Sequence, residues 1–320
     1  MNFTGYHKMP IYSHRNIDFV DTLIDGDVPL YIDPERVAFS SHPYALIADR
    51  YIQDFFNAVF AAAMQRDERR LYHLLSFGQE PNETHFGMST LRSCGRGSSP
   101  EILFPIIKEM LDLRFFERGF ITELVDLCLW TDNFGPDRLS DLVTNIVRSV
   151  LLDYTMEQYY KLNLPTGEIS YRMQVAWDIE EHDWCYNKIP AFFCDNEQIL
   201  LVPKAFVGQS LLSSPGKLLQ IYALSFRQKE HLDMNSDMCH HRELKGGNFR
   251  IDPPTKKEIR QKELSACTEK QYLRDIGFRN TRMVRDMHFD HTRAKDAFQI
   301  SDAELDALLY GCIRTEEPAS

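Results

Sequence analysis

Residues 191–207, AFFCDNEQILLVPKAFV, place two apolar runs on either side of a short polar segment. Apolar runs of this length, separated by a turn near Asn196-Glu197, are typical of a strand, a tight turn and a second strand. The second run, Ile199–Val202, contains no polar residue, which indicates a strand buried on both faces. We therefore expect a small sheet built from about residues 27–34 and 165–207.

Helical patterns flank this stretch on both sides. Apolar residues recur at helical spacing between Gly135 and about Tyr160, and the chain has helical character again after Pro215. The sequence therefore predicts an α+β fold, with a mostly helical body, a small β-sheet and a helical C-terminal region. We place an α+β core domain at residues 1–212 and a more basic C-terminal region at residues 213–320.

Proline and serine residues mark the expected start of the first long helix. Residues 27–34 have the pattern of a short strand that Pro34 ends. Ser40 or Ser41 suits the N-cap of the next helix, and Pro43 suits its first turn. These signals predict a strand, a short loop and then the helix.

The composition is that of a globular protein, with 43% hydrophobic and 26% charged residues in a chain of 320. The net charge of -11 argues against nucleic-acid binding through the overall charge of the protein, but it is compatible with a local basic surface. No apolar run is long enough to span a membrane, and the first residues lack the pattern of a secretory signal. The seven scattered cysteines include no C-x-x-C pair, so we expect reduced thiols in a cytoplasmic protein.

The polar segment EPNETHFG, residues 80–87, is the first candidate site. Glu80, Glu83 and His85 place two carboxylates and an imidazole within six residues, next to a glycine that can bend the backbone. Such groups can bind a metal ion or transfer a proton. The alternative is a polar loop whose side chains hydrogen-bond to its own backbone.

The helix that begins at Gly135-Pro136 carries the second candidate site. Asp137, Asp141, Asn145 and Arg148 follow one another at i, i+4, i+8 and i+11, which places them on one face opposite the apolar stripe. Glu83, Asp137 and Asp141 are the metal ligands that we predict, for Mg²⁺ or Mn²⁺. The alternative is a solvent-exposed face on which Asp and Arg form ion pairs.

Lys204 follows the buried run 199–202 and forms the third candidate. A lysine at a strand end, with Asp195 on the paired strand, is similar to the pattern of restriction-endonuclease-like nucleases, in which acids bind metal and the lysine polarises the attacking water. The position two residues before Lys204 is Val202, so one metal ligand of that pattern is missing. Glu80, Glu83 or Asp141 would have to replace it. The alternative is a lysine that reaches solvent.

The C-terminal region has a different charge balance, because basic residues outnumber acidic ones between 229 and 295. Basic residues interleaved with aromatic ones predict a surface for nucleic acid or for a protein partner. Its members are Lys256, Lys257, Arg260, Arg279, Arg282 and Arg285. The alternative is a set of salt-bridged helix faces. His288 and His291 can share one helical face, but zinc needs three or four converging ligands, so the sequence argues against zinc.

Three strings of this chain resemble those of uncharacterised bacterial proteins from phage-defence and mobile-element islands. They are EPNETHFG (80–87), GPDRLSD (135–141) and LLVPK (200–204), and the resemblance covers about residues 27–207. It implies a cellular context, and it carries no catalytic residue over to this chain.

Two hypotheses of function follow from these features. In the first, the protein is a metal-dependent nuclease or phosphodiesterase effector of an antiviral defence system, and Lys204 stabilises charge at the phosphate. Its other catalytic residues would be Glu80, Glu83, His85 and Asp141. In the second, the protein is a non-catalytic assembly or sensor subunit. It would dock a larger protein, encoded nearby, through its C-terminal third, and truncation near Pro215 would abolish docking while the N-terminal part stays folded.

Overall fold

The computed structural model of the protein describes residues 1–10, 13–78, 81–87, 100–165, 169–245, 247–294 and 299–311. The architecture is α+β, with helices predominating and strands confined to small sheets, as the sequence predicts. None of the helices in these ranges is both long and apolar enough to cross a membrane. Five cysteines in these ranges are free thiols, namely Cys128, Cys185, Cys194, Cys239 and Cys267.

The described residues of the N-terminal two thirds of the chain contain eight α-helices. They are α1 (Phe3–Tyr6), α2 (Pro34–Phe39), α3 (Ala45–Met64), α4 (Glu68–Leu74), α5 (Pro100–Asp112), α6 (Leu127–Trp130), α7 (Pro136–Ile146) and α8 (Arg148–Lys161). The expected helix from Gly135 to Tyr160 is thus two helices, because Val147 leaves helical geometry between α7 and α8.

Pro34 starts a helix, whereas the sequence pattern predicts that it only ends a strand. Asp33 is the N-cap of α2 and accepts a hydrogen bond from the backbone N–H of Glu35. Proline is favoured at this first helical position, because its missing N–H would have no partner there. Helix α3 then begins at Ala45, beyond the expected caps Ser40 and Ser41.

The strands of this part form two separate small sheets, where the sequence suggests one. Strands β2 (Ile169–Asp178), β3 (Asp183–Cys194) and β4 (Glu197–Ile199) form an antiparallel sheet in the order β2-β3-β4. Strand β1 (Tyr31–Ile32) pairs instead with β5 (Val207–Gly208). The expected strand over 199–202 ends at Ile199, because the next backbone groups bond elsewhere, such as the N–H of Leu200 to the carbonyl of Glu83.

The C-terminal region packs onto the same core. It contains α9 (Pro215–Lys217), a π-helix (Leu218–Ala223), α10 (Leu224–Asp233), β6 (His240–Glu243), β7 (Phe249–Asp252), α11 (Lys256–Glu263), α12 (Glu269–Arg279), α13 (Met283–Arg293) and α14 (Asp302–Leu309). Buried residues of α12, α13 and α14, including Ile276, Met287 and Leu305, belong to one hydrophobic cluster with the N-terminal helices. The boundary at 212/213 therefore runs through a shared core.

Candidate functional site

The loop of residues 81–87 lies along the polar face of α7 and the start of α8. At one end, the carboxylate of Glu83 forms an ion pair with Arg148, the first residue of α8. At the other end, Gly87 lies beside Asp137 in the first turn of α7. The first two sequence candidates, the loop and the helix stripe, thus meet in the structure.

Gly87 also brings a carboxylate from a third segment to this place. A Cβ atom on Gly87 would lie 3.6 Å from Asp137 Oδ1 and 3.7 Å from Asp27 Oδ2. The backbone of Gly87 has a φ of 152°, a conformation that favours glycine. Hydrogen bonds from Val28 N to His85 O (2.8 Å) and from Gly87 N to Val28 O (2.9 Å) fix the loop against the segment that carries Asp27.

The polar stripe of α7 and α8 is buried beneath the loop, in contrast to a solvated helix face. Asp141, Asn145 and Arg148 are each less than a tenth exposed. Arg148 donates a hydrogen bond of 2.6 Å to Asn145 Oδ1, and burial lowers its pKa to about 10. Burying ionised groups costs free energy unless each is paired, and the contacts of Arg148 with Glu83 and Asn145 supply such pairing.

His85 closes the loop in a left-handed backbone conformation, with a φ of 55°. Its Nε2 lies 3.2 Å from the carbonyl oxygen of Gln198, which can only accept a hydrogen bond. This contact assigns the ring proton to Nε2 and leaves Nδ1 as an acceptor. Burial lowers the pKa of His85, which favours this neutral ring.

Lys204 forms its ion pair with a residue outside this group. Its Nζ lies 2.7 Å from the carbonyl oxygen of His14 and 2.6 Å from Asp302 Oδ1 at the start of α14. It lines a groove of about 550 Å³ that also contains Asp18 and His42. The contacts of Lys204 Nζ are thus with His14 and Asp302, and its role beside the carboxylates stays a prediction.

The remaining predicted site residues are Glu80 and the three predicted metal ligands. Glu80 lies outside the described residues. Within the described ranges, a single group of three side chains places its ligand atoms close enough to hold one metal ion, namely Glu35, His288 and His291. Glu83, Asp137 and Asp141 do not form such a group. Their assignment as a three-carboxylate metal site receives no support, although one or two carboxylates are enough for Mg²⁺ when water and substrate supply the rest.

Half of the basic C-terminal set is engaged in contacts within the chain. Lys256 donates to the carbonyl oxygen of Gln220, Arg260 pairs with Glu269, and Arg279 pairs with Glu230. The other three residues, Lys257, Arg282 and Arg285, are exposed. The alternative interpretation, in which these basic residues form salt bridges on helix faces, thus applies to part of this surface.

The possible metal ligands Glu35, His288 and His291 connect α2 to α13. Burial raises the pKa of Glu35, but hydrogen bonds from His288 and His291 outweigh it and lower that pKa to about 2. Burial lowers the pKa of His288, but hydrogen bonds to Asp126 and Glu35 outweigh it and raise that pKa to about 11. Sequence reasoning missed Asp27, Glu35 and Asp126, and Glu35 in particular has the pattern of an ordinary acid in a first helical turn.

These features define an α+β protein in which a loop covers a buried polar stripe. Residues 11–214 match the model of a family described as a domain of unknown function (DUF8370), and the match covers more than half of the chain. This protein therefore belongs to that family. Comparisons with curated proteins and with solved structures found no match. The matched segment includes the loop, α7 and α8, but it ends before α13.

Proposed function

We propose that the protein is a metal-dependent phosphodiesterase acting on DNA or RNA, with its active site where the loop of residues 81–87 meets α7. The observation that carries this proposal is that Asp27 and Asp137 both lie beside Gly87. These carboxylates are distant in sequence and lie at the end of a buried polar stripe that continues to Asp141. Mg²⁺ and Mn²⁺ favour oxygen ligands, and Mg²⁺ is commonly held by one or two carboxylates with water and phosphate oxygens completing its shell.

The neighbouring residues suit the remaining tasks of phosphodiester hydrolysis. Neutral His85, with Nδ1 as acceptor, is a suitable general base for the attacking water. Glu83 is a positioning residue in this proposal, because its carboxylate pairs with Arg148 and holds the loop against α8. The ion would polarise the phosphate and lower the pKa of bound water.

The experiment is cleavage of plasmid DNA and of single-stranded RNA by the purified protein in Mg²⁺, in Mn²⁺ and in chelator. We expect metal-dependent cleavage that falls at least ten-fold in Asp137→Asn and Asp141→Asn. Asp153→Asn is the matched control, because Asp153 is an exposed carboxylate on α8. Absence of cleavage by the folded protein, or equal activity in all variants, would contradict the proposal.

The cellular context is a proposal that rests on the resemblance of the three strings to proteins of defence islands. We place the enzyme in the bacterial cytoplasm, as an antiviral effector with a protein partner encoded nearby. Phage plaque counts on cells with and without the protein test this context, and the Asp137→Asn variant should remove any protection. If the Asp137→Asn variant still protected the cells, defence would not depend on the proposed cleavage.

The alternative function is a non-catalytic assembly or sensor subunit that docks a larger partner through the C-terminal third. The observation that favours it is an exposed set on and next to α13, in which Arg282 and Arg285 accompany Phe289, a phenylalanine with 61% of its surface accessible. Arginine and aromatic residues are enriched in protein interfaces. A purified protein without nuclease activity that still protects cells from phage would favour this alternative.

A further inference from the structure

We propose that Glu35, His288 and His291 bind one divalent transition-metal ion of the zinc class, at a site separate from the loop site. This inference does not depend on the proposed phosphodiesterase activity. The three residues come from distant parts of the chain, since Glu35 lies in α2 and both histidines lie in α13.

The positions of the ligand atoms fit a single ion. Glu35 Oε1 lies 3.0 Å from Nδ1 of His288 and 3.0 Å from Nδ1 of His291. In a tetrahedral site with bonds of about 2.0–2.1 Å, neighbouring ligand atoms lie roughly 3.3 Å apart. His288 and His291 are three residues apart on α13, so both rings project from one helical face. All three ligand atoms lie within 4.8 Å of one another, so closing around an ion needs shifts of about 1.5 Å at most.

Asp126 holds one of these ligands in the orientation that metal binding requires. Its Oδ1 lies 2.7 Å from Nε2 of His288. Its Oδ2 accepts hydrogen bonds from the backbone N–H groups of Thr122 (2.8 Å) and Glu123 (2.9 Å). The carboxylate is thus fixed by the backbone, and it directs Nδ1 of His288 toward Glu35. A carboxylate behind a histidine is the usual outer partner of a histidine that binds metal.

Burial and charge also suit a divalent cation. The Glu35 side chain is 1% exposed, and its Oε2 forms no hydrogen bond of normal geometry among the described residues, although the Ser213 hydroxyl lies near the carboxylate. A buried carboxylate oxygen without a partner is costly, and coordination would satisfy it. Glu35 and Asp126 together supply two negative charges for a divalent ion. On binding, the ion takes the place of the proton on Nδ1 of both histidines. The proton of His288 leaves to solvent, and that of His291 leaves to solvent or, from a neutral ring, is replaced by a proton on Nε2.

The donor set selects the class of metal. Two imidazole nitrogens and one carboxylate oxygen suit Zn²⁺, Co²⁺ and Fe²⁺, whereas Mg²⁺ prefers oxygen ligands alone. A site of this kind would cross-link the family domain to the C-terminal region, because α2 lies in the matched segment and α13 lies beyond it. A π-helix, an element that is frequent at functional sites, packs beside α13 through the hydrogen bond of Tyr222 to Asp290 (2.8 Å).

The experiment is titration of the chelator-treated full-length protein with Co²⁺, followed by its absorption spectrum, and with Zn²⁺, followed by calorimetry. We expect one ion per chain in the wild type. Glu35→Gln and His291→Asn should weaken binding more than a hundred-fold. Asp126→Asn should weaken it 10- to 100-fold with the stoichiometry unchanged, since Asp126 acts through His288.

Two controls keep the result interpretable. The double variant His240→Ala/His241→Ala removes exposed histidines of β6 and should bind like the wild type. X-ray absorption of the loaded wild type needs no variant to fold, and it should show nitrogen and oxygen ligands that include two imidazoles. A folded wild type that binds neither ion, a spectrum with sulfur ligands, or binding lost only in the β6 variant would overturn the proposal.

Discussion

Arg148 tests the buried polar stripe at the scale of a single residue. Replacement by Met keeps most of its volume but leaves the Glu83 carboxylate buried without its partner. Breaking a buried ion pair in this way costs about 3–5 kcal/mol, whereas replacing both charges is far less costly. We therefore expect Arg148→Met to lower the free energy of unfolding in urea strongly, and Glu83→Gln/Arg148→Met to recover most of the loss.

Arg114→Met is the control for this comparison, because Arg114 is an exposed arginine whose removal should change stability by less than about 0.5 kcal/mol. If Arg148→Met changed the free energy of unfolding as little as this control, the pair would not be buried in solution. If the double variant were as unstable as the single one, the loss would come from packing of the long side chain.

Single residues also show how far sequence reasoning could reach. Glu83, His85 and Asp137 are predictable as a candidate site, because each stands in a short string with a recognisable local pattern, and their function stays a prediction. The partner of Lys204 is Asp302, which lies 98 residues away, and no local pattern specifies it. Glu35 is harder still, since 253 residues separate it from His288. Spacing predicts which residues share a face, but only the packed chain determines which faces meet.

For helices and strands too, local sequence has limited reach. It predicts that an element exists better than it predicts where that element begins and ends. Apolar periodicity indicates α3 and α7, and two apolar runs on either side of a polar turn indicate β3 and β4. The break at Val147 and the end of β4 at Ile199 have no strong local signal. Beyond Ile199, the backbone of 200–203 bonds to segments near residues 19–20 and 83, so long-range partners override the strand propensity of an apolar run.

Three helices of the C-terminal region are joined by Glu263, the last residue of α11. Its carboxylate accepts hydrogen bonds from Arg227 of α10 and from Tyr272 of α12, and it lies 2.8 Å from His231 Nε2. Burial raises the pKa of Glu263, but hydrogen bonds from Arg227, Tyr272 and His231 outweigh it and lower that pKa to about 2. The ionised carboxylate is therefore part of what holds α10, α11 and α12 together.

This pKa predicts a loss of stability in acid. A depressed pKa means that the unfolded chain binds more protons, so stability is present above the ordinary value near 4.5 and falls as pH drops toward 2. We expect the melting temperature to fall over this window, and Glu263→Gln to be less stable at pH 7 with a flatter pH profile. Glu243→Gln, at an exposed site on β6, should keep the wild-type profile. Parallel profiles for Glu263→Gln and the wild type would refute this role.

Across the whole molecule, the C-terminal region supplies partners that the N-terminal part lacks on its own. Arg274 of α12 donates to the carbonyl oxygen of Trp130 at 3.0 and 2.7 Å. Asp306 of α14 lies 2.7 Å from the fully buried His14. The ring of Phe278 packs against Phe115 and Phe120. Removing these helices would expose an aromatic cluster and leave buried polar groups unpaired.

A chain of residues 1–212 therefore tests whether the family domain is stable alone. The docking hypothesis drawn from the sequence expects this part to stay folded, whereas the shared core predicts that it will not. We expect no cooperative thermal transition by circular dichroism and rapid proteolysis for residues 1–212, because the apolar residues that α12, α13 and α14 cover would be exposed to water. Co-expression of residues 213–320 is the control, and it should restore a complex with a cooperative transition. A wild-type melting temperature for residues 1–212 alone would show that the C-terminal region is a separable module, and it would favour the docking hypothesis.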